Sequence, residues 1–191
     1  RTKLVWMEGN YTPLEQMLLN NELDIFFCNC NTLCKDFEYI PLLNDEVVFI
    51  VHKDHPLCDN AQISSGHTFT YINLKLFENE RFLLLNESQS LRKYSDQVLK
   101  ICNVFPKNIF LLKKIFIMIN LVNIGYGVGF SLAGYIDRSA HIENLRIFSV
   151  VNPPVTATFY AVYKKGKHLT KAALSLIDMV KMSVNEQFPF I

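Results

Sequence analysis

Apolar residues along this chain fall either into short unbroken runs or onto a helical spacing, and the two patterns alternate from one end to the other. Alternation over 3–7 predicts a strand, stopped by Gly9 and Asn10. Thr12-Pro13-Leu14-Glu15 sets an N-cap, a proline at the first helical position and a glutamate three residues past the cap in front of Leu14, Met17 and Leu18, which predicts a helix over 12–20. Ile25-Phe26-Phe27, bounded by Asp24 and Asn29, has the composition of a strand buried on both faces. Strands are predicted at 37–42 and 46–52. The second of these holds Val47, Val48, Phe49, Ile50 and Val51 and is too apolar to keep a wet face; Lys53-Asp54-His55-Pro56 ends it.

Beyond Cys58 the pattern turns polar, with Ser64-Ser65-Gly66 as a loop and a short helix around 71–77. Phe82-Leu83-Leu84-Leu85 reads as another buried strand. The polar run Asn86-Glu87-Ser88-Gln89-Ser90 ends that strand and opens a helix carrying Leu91, Tyr94, Val98, Leu99 and Cys102. A strand at 108–112, a helix at 116–123 stopped by Gly125 and a strand at 128–132 follow. Strands at 145–150 and 158–163 and an amphipathic helix over 170–184 complete the chain. Strands apolar on both faces, alternating with helices, predict an α/β fold of mostly parallel sheets covered by helices. Ligands in such sheets bind beyond the carboxyl ends of strands. Those ends are Cys28-Asn29, the run from Asn86 to Ser90, and Phe130-Ser131.

Composition narrows the function. Half of the 191 residues are hydrophobic, enough for one large core or two small lobes. Lys and Arg total 19 against 18 Asp and Glu, so no global field draws the chain to nucleic acid or an anionic membrane. The longest apolar stretch, 115–124, is interrupted by Asn120 and Asn123 and is shorter than the roughly 20 residues of a membrane crossing. The chain opens on Arg1-Thr2-Lys3, directly before a predicted strand, and reads as beginning partway through something larger. Five cysteines, an odd number, argue against a disulfide framework and fit a reducing cytoplasm. Cys28, Cys30 and Cys34 are close in sequence, with His52 and His55 downstream. They lack the paired Cys-x2-Cys spacing of a structural zinc site, and small thiols beside a loop is the better reading.

The run from Asn86 to Ser90 is the leading candidate for recognition. A helix N-terminus leaves backbone N–H groups unpaired and carries partial positive charge that a carboxylate or phosphate can use. Ser88 and Ser90 would add hydroxyl donors; the alternative is that these residues only cap their own helix. Gly125-Tyr126-Gly127-Val128-Gly129 follows a helix and enters a strand, the reverse of a dinucleotide loop, and reads as a helix stop with close backbone approach. His52, His55, His67, His141 and His168 are scattered, and the chain has no nucleophile elbow, zinc-protease motif or phosphate-loop lysine. Asp24 and Glu87 are the carboxylates to watch, without a pair suited to acid–base work. The expectation is no catalysis, no cofactor and no metal. Lys164-Lys165-Gly166-Lys167-His168 reads as a solvated turn.

The signposts also occur in a familiar order. Leu18-Leu19-Asn20-Asn21-Glu22-Leu23-Asp24-Ile25 resembles the Leu-x-x-Gly-Glu-Leu-Asp segment of the effector-binding region of LysR-type transcriptional regulators, with Asn21 at the usual glycine. Residues 48–57, ending in Asp54-His55-Pro56-Leu57, are similar to that family's Asp-His-Pro-Leu strand. Residues 121–132 resemble its Val-x-x-Gly-x-Gly segment, with Leu132 at a common proline, and 158–166 resemble its returning strand. The resemblance implies the two-lobed architecture of type 2 periplasmic binding proteins, with each lobe a small α/β sheet. Two crossing strands, 46–53 and 158–164, would join a first lobe of 1–53 and 156–191 to a second of 54–155.

It implies further an effector cleft between the lobes, a homodimer, and DNA binding only through an N-terminal winged helix-turn-helix that lies outside this chain. The family's lobe begins with a strand and helix before the strand at Lys3, and this chain has neither. The expected function is cytoplasmic sensing of a small, anionic molecule without membrane contact. Its contacts would be Asn86, Ser88, Gln89 and Ser90, with Phe130, Ser131, Cys28 and Asn29. The alternatives are an extracellular solute-binding protein of the same architecture and a two-lobed enzyme.

Overall fold

The computed structural model describes residues 4–9, 11–30, 33–63, 68–136 and 143–187. Arg1, Thr2, Lys3, the Ser64-Ser65-Gly66 loop, His67 and His141 lie outside them. The chain divides into two compact units, one of Arg1–Asn44 with Thr158–Ile191 and the other of Asp45–Ala157. It passes from one unit to the other inside two strands.

The first unit holds helix α1 (Tyr11–Leu19), strand β1 (Phe26–Asn29), the first half of strand β2 (Phe37–His52), most of strand β7 (Thr156–Lys164) and helix α4 (Lys171–Gln187). Strand β7 lies between β1 and β2. It runs antiparallel to β1, with Phe26 opposite Val162 and Cys28 opposite Tyr160. Successive strand residues point to opposite faces, and this sheet uses both. Phe26, Phe37 and Val162 pack with Leu18 of α1, while Leu42 and Ala161 pack with Ile177 of α4. Helix α1 ends on Asn21 at φ 61°, with Glu22 N–H bonded to Met17 O at 2.8 Å and Asn21 N–H to Leu18 O at 3.2 Å. That is the left-handed cap glycine usually fills; asparagine tolerates it because its side chain is short and polar.

The second unit holds the rest of β2, β3 (Arg81–Leu85), α2 (Ser90–Ile101), β4 (Asn108–Leu112), α3 (Ile115–Asn123), β5 (Val128–Leu132) and β6 (Leu145–Phe148). The strand order is β2-β5-β3-β4, with β6 also on β2. Strands β4, β3 and β5 are mutually parallel, each followed by a helical turn, whereas β2 meets β5 and β6 antiparallel. The rings of Phe49, Phe77, Phe82 and Phe130 form the centre of one continuous core with centroid separations of 4.9–6.2 Å. On it pack Leu91, Tyr94 and Val98 of α2 and Met118, Ile119 and Val122 of α3.

Three outcomes differ from the pattern reading. The two strands expected at 37–42 and 46–52 are one strand of 16 residues. The gap between them, with the polar Asn44-Asp45, is where β2 leaves one unit's sheet for the other's, and its burial changes there from partial to nearly complete. Second, Leu4 to Met7 form no strand, and Leu4, Val5, Trp6 and Met7 are exposed by 68%, 67%, 66% and 47%. An extended segment becomes a strand only when a neighbour takes its N–H and C=O groups, and none of the described strands does so here. Third, the pairing is less parallel than expected: β4, β3 and β5 pair in parallel, whereas β1 meets β7 and β2 meets β5 and β6 antiparallel.

The glycines of the 125–129 segment do what close approach requires. Gly125 has φ +76°, and Tyr126 N–H bonds Leu121 O at 2.9 Å, closing α3 with the same cap geometry as α1. A Cβ on Gly127 would stand 2.5 Å from Arg81 O and 3.1 Å from a Leu83 carbon. We therefore expect Gly127→Ala to lower unfolding free energy by about 1–3 kcal/mol in urea titrations. Gly166→Ala, with φ +76° but open space around it, should cost only about 1 kcal/mol, from backbone strain alone.

Candidate functional site

The second unit contains a reversal of strand order. From β3 the chain goes through α2 to β4 on one side, then through α3 to β5 on the other side of β3. Neighbouring strands β3 and β5 are thus reached by connections that run to opposite sides, and α/β sheets bind ligands beyond the carboxyl ends of strands at such a switch point. The register Leu83↔Gly129 carries Leu85 and Asn86 toward the level of Ser131 and Leu132.

Three features meet there. The first is the start of α2. Gln89 occupies the N-cap and its side chain makes no cap hydrogen bond; Arg92 N–H bonds Gln89 O at 3.1 Å, and the donors before it and the positive end of the helix dipole lie at the cap. Asn86 N–H is bonded to Leu112 O at 2.9 Å and Gln89 N–H to Asn86 O at 3.0 Å, which fixes the turn that aims the helix. Ser88 is exposed, and Asn86, Gln89 and Ser90 are half-buried.

The second feature is Arg92, one turn into α2. Its Nη1 donates to Leu85 O, the last carbonyl of β3, at 3.1 Å, and its Nε donates to Asp96 Oδ1 at 2.8 Å. The guanidinium thereby ties the helix to the strand end and adds positive charge beside the uncapped amides. The i,i+4 spacing of Arg92 and Asp96 is visible in sequence as an ordinary surface pair; its reach back to β3 is not.

The third is Asp45, at the start of the half of β2 that pairs antiparallel to β5, with Val47 opposite Leu132. It is 4% exposed, and both carboxylate oxygens accept from Gly134 N–H, at 3.2 and 3.0 Å. Gly134 lies in the short turn Ala133–Tyr135 that follows β5. Next to it Glu46, also buried, accepts from Ser149 Oγ. Burial pushes the Asp45 carboxyl up to about 6, partly opposed by the N–H bonds from Gly134 and Glu46. Nothing in the local sequence distinguishes this aspartate from a polar break between strands.

The remaining sequence-predicted contacts fall elsewhere. Phe130 and Ser131 are in β5 and are 1% and 0% exposed. The Phe130 ring is engaged with Phe49 and Phe82, and Ser131 Oγ donates to Leu132 O at 3.0 Å. Cys28 and Asn29 end β1 in the first unit, half-buried and buried respectively. The residues gathered at one place are thus Asn86, Ser88, Gln89 and Ser90, joined by Arg92. His55, from the Asp-His-Pro-Leu motif, plays a structural part, since its Nδ1 accepts from Leu57 N–H at 3.3 Å and its ring lies 5.4 Å from that of Phe77. Among the described residues no group of three or more His, Cys, Asp and Glu side chains is arranged to hold a metal ion, and no helix is long and apolar enough to cross a membrane.

A family model described as LysR substrate binding domain matches residues 1–184. No curated protein sequence matches the chain significantly. Among solved structures, the effector binding domain of QuiR in complex with shikimate superposes with a TM-score of 0.71 at 20% identity, covering 93% of this chain and 79% of that one. The Synechocystis PCC6803 CcmR regulatory domain in complex with 2-PG gives 0.71 at 17% identity, over 92% and 80%. The BenM effector binding domain with its effector benzoate gives 0.72 at 16% identity, over 97% and 79%. At these identities the likeness establishes a common fold.

Asp45 makes a pH prediction. Its folded pKa lies above the unfolded value, so folding takes up a proton between about pH 4 and 6. The contribution is therefore fully present below the unfolded pKa and is lost as pH rises through 6. Relative to Asp45→Asn, the wild-type protein should lose up to about 3 kcal/mol of unfolding free energy between pH 4 and pH 7. Parallel urea titrations of the two proteins across that range measure it, and parallel curves would remove Asp45 as the cause.

Proposed function

This chain belongs to the LysR substrate-binding domain family, and from that premise we propose that it is the effector-sensing part of a LysR-type transcriptional regulator. Its ligand is a small organic anion, bound at the switch point of the second unit. The single observation that carries this reading is the uncapped start of α2 at the carboxyl end of β3. First-turn amides, Ser88 and Ser90 hydroxyls and the Arg92 guanidinium there form a field suited to a carboxylate or phosphate. Shikimate and benzoate, named with two proteins of the same fold, are small carboxylates. Phe130 and Ser131 support the floor from within β5. The ligand acts on transcription by binding one state of the regulator more tightly than another. DNA is contacted through a winged helix-turn-helix domain outside this chain, in the cytoplasm.

Substituting Ser90→Asp tests the reading. A carboxylate at the first turn competes with an anionic ligand, yet favours the helix through its dipole by about 0.3–1 kcal/mol. Titration of a panel of small carboxylates and phosphates, followed by amide chemical shifts, should show shifts centred on 86–92 in the wild type. The variant should bind at least about tenfold more weakly at undiminished stability. Shifts centred away from the start of α2, or an unaltered affinity in the variant, would remove the site.

A homodimer is part of the same proposal, and the second unit supports a surface for it. Strand β4 is the edge of the sheet, and Ile109, Phe110 and Leu111 on it are exposed by 47%, 42% and 57%. Phe116 and Ile117 of the adjoining α3 are exposed by 66% and 51%. An apolar edge of this kind is a pairing surface unless something covers it. Phe110→Lys with Phe116→Lys should convert a dimer to a monomer in sedimentation velocity; an unchanged oligomer would assign the contact elsewhere.

A further inference from the structure

Strands β3 and β4 are parallel, with Arg81 opposite Asn108, so the segments that lead into them meet at the end of the sheet away from the switch point. Hydrogen bonds bind the two segments together. Lys75 Nζ donates to Asn103 O at 3.0 Å and Lys107 Nζ to Asn79 Oδ1 at 2.9 Å. Phe105 N–H donates to Glu78 Oε1 at 3.2 Å and Lys107 N–H to Glu78 O at 3.4 Å. On this joined surface Leu76, Ile101 and Phe105 are exposed by 42%, 57% and 68%.

The exposure of Phe105 does not come from a loose loop. Helix α2 closes through Asn103 at φ 51°, with Val104 N–H on Leu99 O at 2.9 Å. Val104 is buried and Pro106 half-buried, so the backbone on both sides of Phe105 is fixed. A ring held in water in this way gains its transfer free energy only when something covers it.

Charge indicates what covers it. Lys75 adjoins Leu76, Lys100 adjoins Ile101 and Lys107 follows Phe105 by two residues. The carboxylates of these segments are already engaged, Glu78 by Lys75 and the Phe105 N–H, and Glu80 by His55 at 3.6 Å. An ammonium has three donors; Lys75 places its donors on Glu78 and Asn103 O, and Lys107 on Asn79, which leaves each able to meet a further acceptor. Their stems are ordered beforehand, which lowers the entropy lost on binding.

We propose that this surface docks an acidic segment of another protein, whose apolar side chains cover Leu76, Ile101 and Phe105 while its carboxylates meet Lys75, Lys100 and Lys107. This goes beyond anion sensing, because the surface lies at the opposite end of the parallel strands from the start of α2 and takes a polypeptide. A polypeptide fits better than a bilayer. The ammonium groups of Lys75 and Lys107 are drawn down onto the protein's own oxygens, whereas contact with lipid headgroups needs them to extend outward.

The full chain, titrated with a synthetic helical peptide carrying leucine at every third or fourth position and glutamate between, tests this by amide chemical shifts. The same peptide with lysine for glutamate, and vesicles of phosphatidylglycerol, are the comparisons. Wild-type shifts should centre on 75–79 and 100–107, with an affinity that falls as salt rises. Phe105→Ala and Lys107→Glu should each weaken binding at least about tenfold, with melting temperature and sedimentation unchanged. The proposal is overturned if the glutamate peptide fails to bind or shifts other residues, if Phe105→Ala binds it unaltered, or if the lysine peptide or the vesicles engage the same residues as tightly. Dissociation of a dimer by Phe105→Ala would also overturn it and give the surface to a second copy of this chain. Shifts at 86–92 report the α2 site, so its failure and this one are separately visible.

Discussion

The parallel contact between β3 and β5 is the constraint on which the second unit depends. It requires backbone to approach backbone so closely that a methyl group on Gly127 would collide with Arg81 O, and it fixes which side of β3 each helix covers. Once β5 is against β3, α2 and α3 must diverge, and the carboxyl ends of both strands are left beside an uncapped helix start. Arg81 secures the approach from the other end: its guanidinium stacks 4.2 Å over the Tyr126 ring while Nη1 donates to Tyr126 O at 3.2 Å. Core packing and site geometry are in this sense one solution.

Much of this was legible in the sequence because the signals are local. A run such as Phe82-Leu83-Leu84-Leu85 can only be buried, Gly125 can only end a helix, and the polar run after Leu85 marks both a strand end and a helix start. The order of these signals was sufficient to name the family. Less legible was anything fixed by partners distant in the chain. Asp45 fell between two predicted strands because the N–H that both its oxygens accept belongs to Gly134, and Arg92 drew no notice because its carbonyl partner belongs to the preceding strand. The segment from Leu4 to Met7 shows the converse: its alternation is that of a strand, but a strand also needs a neighbour.

The site is also asymmetric in charge. Helix amides and Arg92 supply positive potential at one wall, and Asp45, whose carboxyl burial pushes up to about 6, lies where β2 begins its pairing with β5. An aspartate fully ionised there would oppose an anionic ligand. The N–H of the turn after β5 holds the carboxyl in one orientation.

The continuity of β2 and β7 across the two units has a consequence for synthesis. Residues 45–157 are contiguous, so the second unit has all of its strands as soon as they leave the ribosome. The first unit cannot close until β7 inserts between β1 and β2, pairing Phe26 with Val162. Until translation reaches that strand and α4, the face of β1 that carries Phe27 waits uncovered, whereas α1 is already at hand for the face that carries Phe26. Vectorial folding of this chain therefore begins in its middle and finishes by joining its two ends.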